Sequence, residues 1–315
     1  MEDSFNSPSP CIQARAVQNL LAACLSAEKL DVNLPPYRSL WAGCRHTASY
    51  VSKQCTAAIL SLVKSGKVAF EGAVEGFLDI IPAAKFTHLE SFVIAVFDLI
   101  LMHIEYQAAK GSSYVCPYSS RSHPLISILT HRGEAGSSIL ALFYRQLQQS
   151  TSHLNELLQV ALPLAEFSFL STRGFAERSM FRAEFFTFLL EFGKRVGCLD
   201  SIHEALGRAC SSAPLDDSES ASQVLLLSKK LVDSVFQSKQ MSPSLLHSIL
   251  SVCELCIEFG TACDQALDLV SFYCNYFTPS NLFFFRHLSL SFTRGMLASI
   301  PTQQLFSRHI CCSTP

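Results

Sequence analysis

Charge is what this sequence has least of. Asp, Glu, Lys and Arg together make up 16% of its 315 residues, against 49% hydrophobic types. A chain so poor in charge has to bury most of its apolar surface, either in its own core or against another molecule. The mean hydropathy of +0.27 fits an unusually apolar core and an interface equally well. Runs of Lys or Arg are also missing, and 24 basic residues face 26 acidic ones. Nucleic-acid binding requires a dense positive face that displaces counterions from phosphates. Direct nucleic-acid binding is therefore not expected. Period-two alternation bounded by turn residues is nearly absent, which argues against sheet.

No secretory or transit leader is expected from the acidic, polar start Met1-Glu2-Asp3-Ser4-Phe5. Asn-x-Ser/Thr acceptors are lacking too. The 13 cysteines are odd in number and scattered through apolar patterns. A disulfide framework would be short, loop-rich and evenly counted. A reducing, cytoplasmic setting with free thiols is the expectation. The longest apolar stretch, Phe92 to Ile104, is interrupted by Asp98 and His103. It falls short of the ~20 residues of a spanning helix. Leu282-Phe283-Phe284-Phe285 is broken by Arg286 and His287. No transmembrane segment is expected.

What the chain does have is helical periodicity. Val51, Cys55, Ala58 and Leu62 share one helix face, as do Leu89, Val93, Val96, Ile100 and Ile104. Val224, Leu227, Leu231 and Val235 repeat the pattern, and so do Leu245, Ile249, Cys253 and Ile257. The punctuation agrees. Ser9-Pro10 and Ser242-Pro243 read as N-cap and first helical residue. Leu34-Pro35-Pro36, Ser65-Gly66, Ile81-Pro82 and Gly260-Thr261 read as breaks, and residues 111–117 as a loop. Thr47 and Thr87 are candidate caps.

Many short-linked antiparallel helices without sheet make a bundle or a solenoid, and the length favours the solenoid. Helix pairs recur at roughly 40 residues, the period of armadillo and HEAT units. The expected fold is all-α, an armadillo/HEAT-like solenoid of antiparallel helix pairs. The expected organisation is an N-terminal array over 1–210, a polar linker over 211–222 and a continuing array over 223–315. That last array is expected to be incomplete at its C-terminus. Cys311-Cys312-Ser313-Thr314-Pro315 has no capping logic, as in a truncated or alternatively spliced product.

Few motifs on this helical frame could carry chemistry. Gly66-Lys67 is no phosphate loop, since Ser61 and Val68 stand where Gly and Ser/Thr are needed. Cys253-x-x-Cys256, with Cys263, Cys274 and His247 near it, could hold zinc. The same cysteines fall at helical spacing among Leu255, Ile257 and Leu267, where Cys behaves as a small hydrophobe. The core reading is preferred there. Cys116 and His123 could pair as nucleophile and base, but no orienting third group or oxyanion turn accompanies them. Phe181, Phe185, Phe188 and Phe192 lie on one helix face, with Phe186 beside it. Core packing is the default for such a stripe, and a partner groove is the alternative. Catalytic, cofactor and metal residues are thus expected to be absent. A cysteine- or zinc-dependent enzyme and a peripheral membrane protein are the alternatives to a binding scaffold.

Several stretches carry a resemblance. Ile12-Gln13-Ala14-Arg15-Ala16-Val17 is followed by Leu20-Leu21-Ala22-Ala23, then by Leu40-Trp41 with Cys44. Gly76-Phe77-Leu78-Asp79-Ile80-Ile81-Pro82 comes next, with Thr87-His88. The most distinctive is His123-Pro124-Leu125-Ile126-Ser127-Ile128-Leu129-Thr130-His131-Arg132. Over residues 4–132 the chain resembles the N-terminal region of the focadin family. Beyond that the likeness rests on helical pattern, and the ending departs from the family, whose members are several times longer. The resemblance implies an armadillo-type scaffold without catalytic residues. It implies association with focal adhesions and vinculin, with growth suppression, and with the cytoplasmic Superkiller RNA-decay assembly. It carries no binding residue over to this chain.

Overall fold

The structure is a computed structural model that describes residues 5–276, apart from 29, 32, 120–121, 150–152, 170–175 and 239–241. The expectations for Leu282 to His287 and for the tail beyond Pro301 lie outside the described residues. The described residues form an all-α fold of paired antiparallel helices, the architecture of an armadillo/HEAT-like solenoid, and contain no strand.

Thirteen α-helices are described. They are α1 (Pro10–Ser26), α2 (Pro35–Cys44), α3 (Ser49–Lys64), α4 (Phe70–Ile80), α5 (Phe86–Ala109), α6 (Pro124–His131) and α7 (Gly136–Gln148). Then come α8 (Leu154–Phe169), α9 (Ala176–Val196), α10 (Leu199–Ser211), α11 (Ser218–Ser238), α12 (Pro243–Glu258) and α13 (Cys263–Tyr276). Two 3-10 turns, Ile81–Ala83 and Gly133–Ala135, lead into α5 and α7. The helices divide into two compact units. One runs through Ser168 and resumes over α9 to Gly197; the other takes in Phe169 and the chain from Cys198 onward. The polar stretch 211–222 lies within the second unit, where Leu215 is buried and its carbonyl accepts the Thr261 hydroxyl at 2.7 Å.

Local sequence explains most helix ends. Pro10, Pro35, Pro124 and Pro243 each begin a helix, where the missing N–H is harmless. The Ser242 hydroxyl accepts from the Leu245 N–H at 3.2 Å, as its cap reading requires. Gly66 and Gly260 take φ of 72° and 68° just past α3 and α12, the left-handed turn that glycine adopts without steric cost. The caps expected at Thr47 and Thr87 do not form. The N-caps of α3 and α5 are Ala48 and Lys85, in extended backbone and without side-chain caps. A cap works only at the residue where the backbone switches from extended to helical. Thr47 lies one residue before its N-cap and Thr87 two residues after its own, inside the helix.

In the first unit α1, α2 and α3 pack together, α3 packs on α5, and α5 also meets α4, α6 and α7. α5 is the central element of this unit. Leu89, Phe92, Val93, Val96, Ile100 and Ile104 are buried along it at helical spacing. At 24 residues it is longer than the run from Phe92 to Ile104 suggested. By length and composition alone it could cross a membrane, the one such helix among the described residues. The helix continues on both sides of Phe92 to Ile104, and over that longer window Asp98 and His103 lower the mean hydropathy too little to matter.

The aromatic stripe of α9 is core. Phe181, Phe185, Phe186, Phe188 and Phe192 are all buried. Phe181 stacks on Phe185 with centroids 5.1 Å apart, and Phe188 meets Phe192 at 5.6 Å. Phe143 of α7 touches both Phe185 and Phe188, and meets Phe97 of α5 edge-on at 5.1 Å. A continuous aromatic contact therefore joins three helices. In the second unit α12 packs on α10 and α13, and α11 on α10 and α13.

Candidate interaction surface

His123, Cys253 and Cys256, three of the side chains considered for chemistry, are packed into the fold. His123 is 1% exposed. Its Nδ1 accepts the Leu125 N–H at 3.1 Å and so caps α6. The opposite nitrogen must then carry the proton, and Nε2–H donates to the Val160 carbonyl of α8 at 2.9 Å. Burial pushes this imidazole down to about 4. Both ring nitrogens are committed to backbone, so none remains to activate a thiol. Cys116 has its own partners. Its N–H donates to Gln159 Oε1 at 3.1 Å, and its thiol lies 3.8 Å from the Tyr118 carbonyl oxygen. The structure does not join Cys116 and His123 into a nucleophile–base pair.

The α12 cysteines are likewise interior groups. Cys253 and Cys256 are both fully buried. Burial pushes the Cys253 thiol up to about 12 and the Cys256 thiol to about 11. The half-buried Cys263 thiol lies 3.9 Å from the Cys256 carbonyl oxygen. His247 stands on the exposed side of α12, and the side chain of Cys274 lies outside the described residues. No group of three or more His, Cys, Asp or Glu among the described residues could hold a metal ion. A thiolate is the metal ligand and the nucleophile, and burial disfavours it at both cysteines. Near Gly66, Lys67 extends its Nζ to the Ala27 carbonyl at 2.7 Å and ties the end of α1 to the turn after α3.

One concave feature went unread in the sequence. A cleft of about 670 Å³ opens between the turn joining α3 to α4 and the last turns of α5. Phe70, Glu71, His103, Glu105 and Tyr106 are among the residues lining it. Phe70 stacks on His103, with centroids 5.1 Å apart and planes inclined by 22°. The signal was present in the spacing. His103, Tyr106 and Gln107 fall at i, i+3 and i+4 on the C-terminal turns of α5, away from the buried stripe. Gln107 Nε2 lies 3.2 Å from His103 Nε2 and donates to it. What the sequence could not reveal is that Phe70, on another helix, meets this face.

Large apolar side chains also reach the surface. Phe86 is 73% exposed, Val115 78%, Leu226 56% and Phe259 54%. They are scattered singly across the two units.

Comparison with known proteins bears on what such a surface is for. No family profile matches the chain, and no solved structure does. Three curated relatives do. The chain is 25% identical to Focadhesin of Danio rerio over 194 residues, which is 58% of this chain and 11% of that protein. It is 25% identical to Focadhesin of Homo sapiens over 198 residues, 59% of this chain and 11% of the relative. Focadhesin of Mus musculus is 22% identical over 291 residues, 84% of this chain and 16% of the relative.

This is a distant, partial similarity to the focadhesins. The chain spans 11 to 16% of the length of the relatives it matches. The resemblance read from the N-terminal motifs and these alignments point to the same general relationship. With the helical architecture it describes a scaffold-like fold distantly related to focadhesin.

Proposed function

We propose that this chain is a non-enzymatic protein-interaction scaffold that works as the focadhesins do. In this reading it acts in the cytoplasm and at focal adhesions, with vinculin and subunits of the Superkiller RNA-decay assembly as its partners. The observation that carries the reading is the use of the reactive groups. His123 is held by two backbone bonds, and Cys253 and Cys256 are sealed in the core. These groups offer little chemistry to a substrate, while the cleft beside Phe70 and Tyr106 is open to a partner. Helical-repeat arrays characteristically present extended surfaces of this kind. The distant similarity to focadhesins supports a protein-interaction role, and the partners named are those that the family resemblance implies.

The test is affinity purification of the tagged chain from cytosol, with mass spectrometry of the proteins retained. Vinculin and adhesion proteins would support the adhesion role, and Superkiller subunits the RNA-decay role. Retention of chaperones alone would overturn the scaffold reading for this chain.

A further inference from the structure

The cleft between α3, α4 and α5 has a chemistry that selects its occupant. One wall is aromatic. Phe70 lies nearly parallel to His103, and Tyr106 leans against the same Phe70 ring at 5.8 Å. Tyr106 is 46% exposed. Glu71 and Glu105 line the same space, and neither forms an ion pair among the described residues. Lys64 is the cation among the lining residues, and it belongs to the last turn of α3, where the helix carbonyls favour positive charge. The N-terminus of α4 also lines the cleft, and Glu71 occupies its first turn, where a carboxylate complements the helix dipole.

Two kinds of occupant fail on these groups. An anion would meet the Glu71 and Glu105 carboxylates, and Glu71 already occupies the first turn of α4. A wholly apolar ligand would use the aromatic wall and leave the exposed Glu71 and Glu105 without a counter-charge. A cation on an apolar stem satisfies both halves: the stem lies on the aromatic wall and the head faces the carboxylates. The molecule already contains an example of the contact, with Lys110 Nζ sitting 4.2 Å from the centroid of the Tyr106 ring. Arginine fits better than lysine, because its planar, weakly hydrated guanidinium stacks on aromatic faces and bridges carboxylates.

We propose that this cleft, walled by Phe70 and Tyr106 and charged by Glu71 and Glu105, receives an arginine side chain from a basic segment of a protein partner. The proposal rests on the scaffold reading and specifies the partner's chemistry. Lys110 occupies one face of Tyr106 until the arginine competes for it.

The test uses the full chain and a fluorescein-labelled acetyl-Gly-Arg-Gly-Arg-Gly-amide peptide, followed by fluorescence anisotropy at about 150 mM salt, where distant surface charges are screened. Saturable binding is expected. Glu71→Gln combined with Glu105→Gln should weaken it about fivefold or more, and Tyr106→Ala about threefold, from the usual strengths of exposed ion pairs and cation–π contacts. Lys110→Gln should tighten it about twofold by freeing the ring. Glu219→Gln, exposed on α11, should leave it unchanged. Equal binding by the double variant, by Tyr106→Ala, or of a peptide with Glu in place of Arg would overturn the proposal, as would no binding at all. Repeating the cytosolic purification with the double variant separates the two readings. A vinculin or Superkiller yield that survives the double substitution would keep the scaffold and reject this cleft. A chain that retains neither in any version would reject both.

Discussion

The His123 imidazole bridges α6 and α8 through the Val160 carbonyl, 2.9 Å from its Nε2. Its other nitrogen caps α6 through the Leu125 N–H. The arrangement works only for the neutral ring, because a protonated imidazole has no acceptor left for that N–H.

Stability should therefore depend on pH in a defined window. Burial holds His123 at about 4 in the folded chain, below the ~6.5 of an unperturbed histidine. Between those values the unfolded chain takes up a proton that the folded chain refuses. The contribution is complete above about 6.5 and is lost as pH falls toward about 4, by up to about 3 kcal/mol. Burial lowers His88 as well, helped by the charges of Lys85, Lys53 and His46, so it acts in the same direction. Urea unfolding at intervals across this window should show a falling midpoint. His123→Asn, which keeps a capping acceptor, should flatten that fall; an unchanged slope would refute the assignment.

Phe188 is fully buried and touches Phe143, Tyr144, Phe185 and Phe192. Phe188→Ala opens a cavity where three helices share aromatic contacts. A loss of about 3–5 kcal/mol is expected, with Phe188→Leu losing clearly less. Thermal denaturation followed by circular dichroism measures both. A near-neutral Phe188→Ala would mean that the stripe is not core.

Gly76 sets how closely α4 approaches the indole of Trp41. A Cβ there would lie 2.5, 2.7 and 3.0 Å from three of its ring carbons. That ring is held edge-on against Phe77 at 5.1 Å and has little room to withdraw. Gly76→Ala gains about 1 kcal/mol of helix propensity and loses about 1–3 kcal/mol to overpacking. Net destabilisation is expected. Trp41 is the chain's single tryptophan, so a shift of its emission maximum reports the clash directly.

Thiol reactivity should follow burial. Cys11 is exposed, whereas Cys44, Cys55, Cys253 and Cys256 are buried. Burial holds Cys55 and Cys253 up near about 12 and pushes Cys44 up further, with Cys55 beside it adding to the effect. A disulfide reagent at mildly alkaline pH should modify Cys11 in the native chain and the four buried thiols only after denaturation. Peptide mapping reads the sites. Prompt native labelling of Cys253 or Cys256 would reopen a chemical role for them.

Much of the fold was legible because helices announce themselves locally. Leu245, Ile249, Cys253 and Ile257 lie on one face of α12, and Ser242-Pro243 opens that helix with a real cap. Gly66 and Gly260 mark helix ends because only they reach the needed backbone angles cheaply. The aromatic stripe of α9 was visible as a face, and its spacing alone left core and partner groove both open. Thr47 and Thr87 were misread because a cap depends on the entry path of the preceding chain, and that path is fixed by tertiary packing.

The candidate surface was less legible. Phe70 and Tyr106 are 36 residues apart by their numbers, and their contact depends on how α4 docks against the end of α5. His123 and Val160 meet in the same way.

By itself the sequence determined that this chain is helical, poor in charge, free of recognisable catalytic motifs and similar in its first part to focadins. Periodicity, turn residues and composition act within a few residues and need no partner. Tertiary structure alone decided which histidine caps and bridges, which cysteines are sealed from solvent, and where aromatic and acidic side chains converge into a cleft. Burial and contact between distant segments arise only when whole helices pack, and they determine protonation and access at each of those groups.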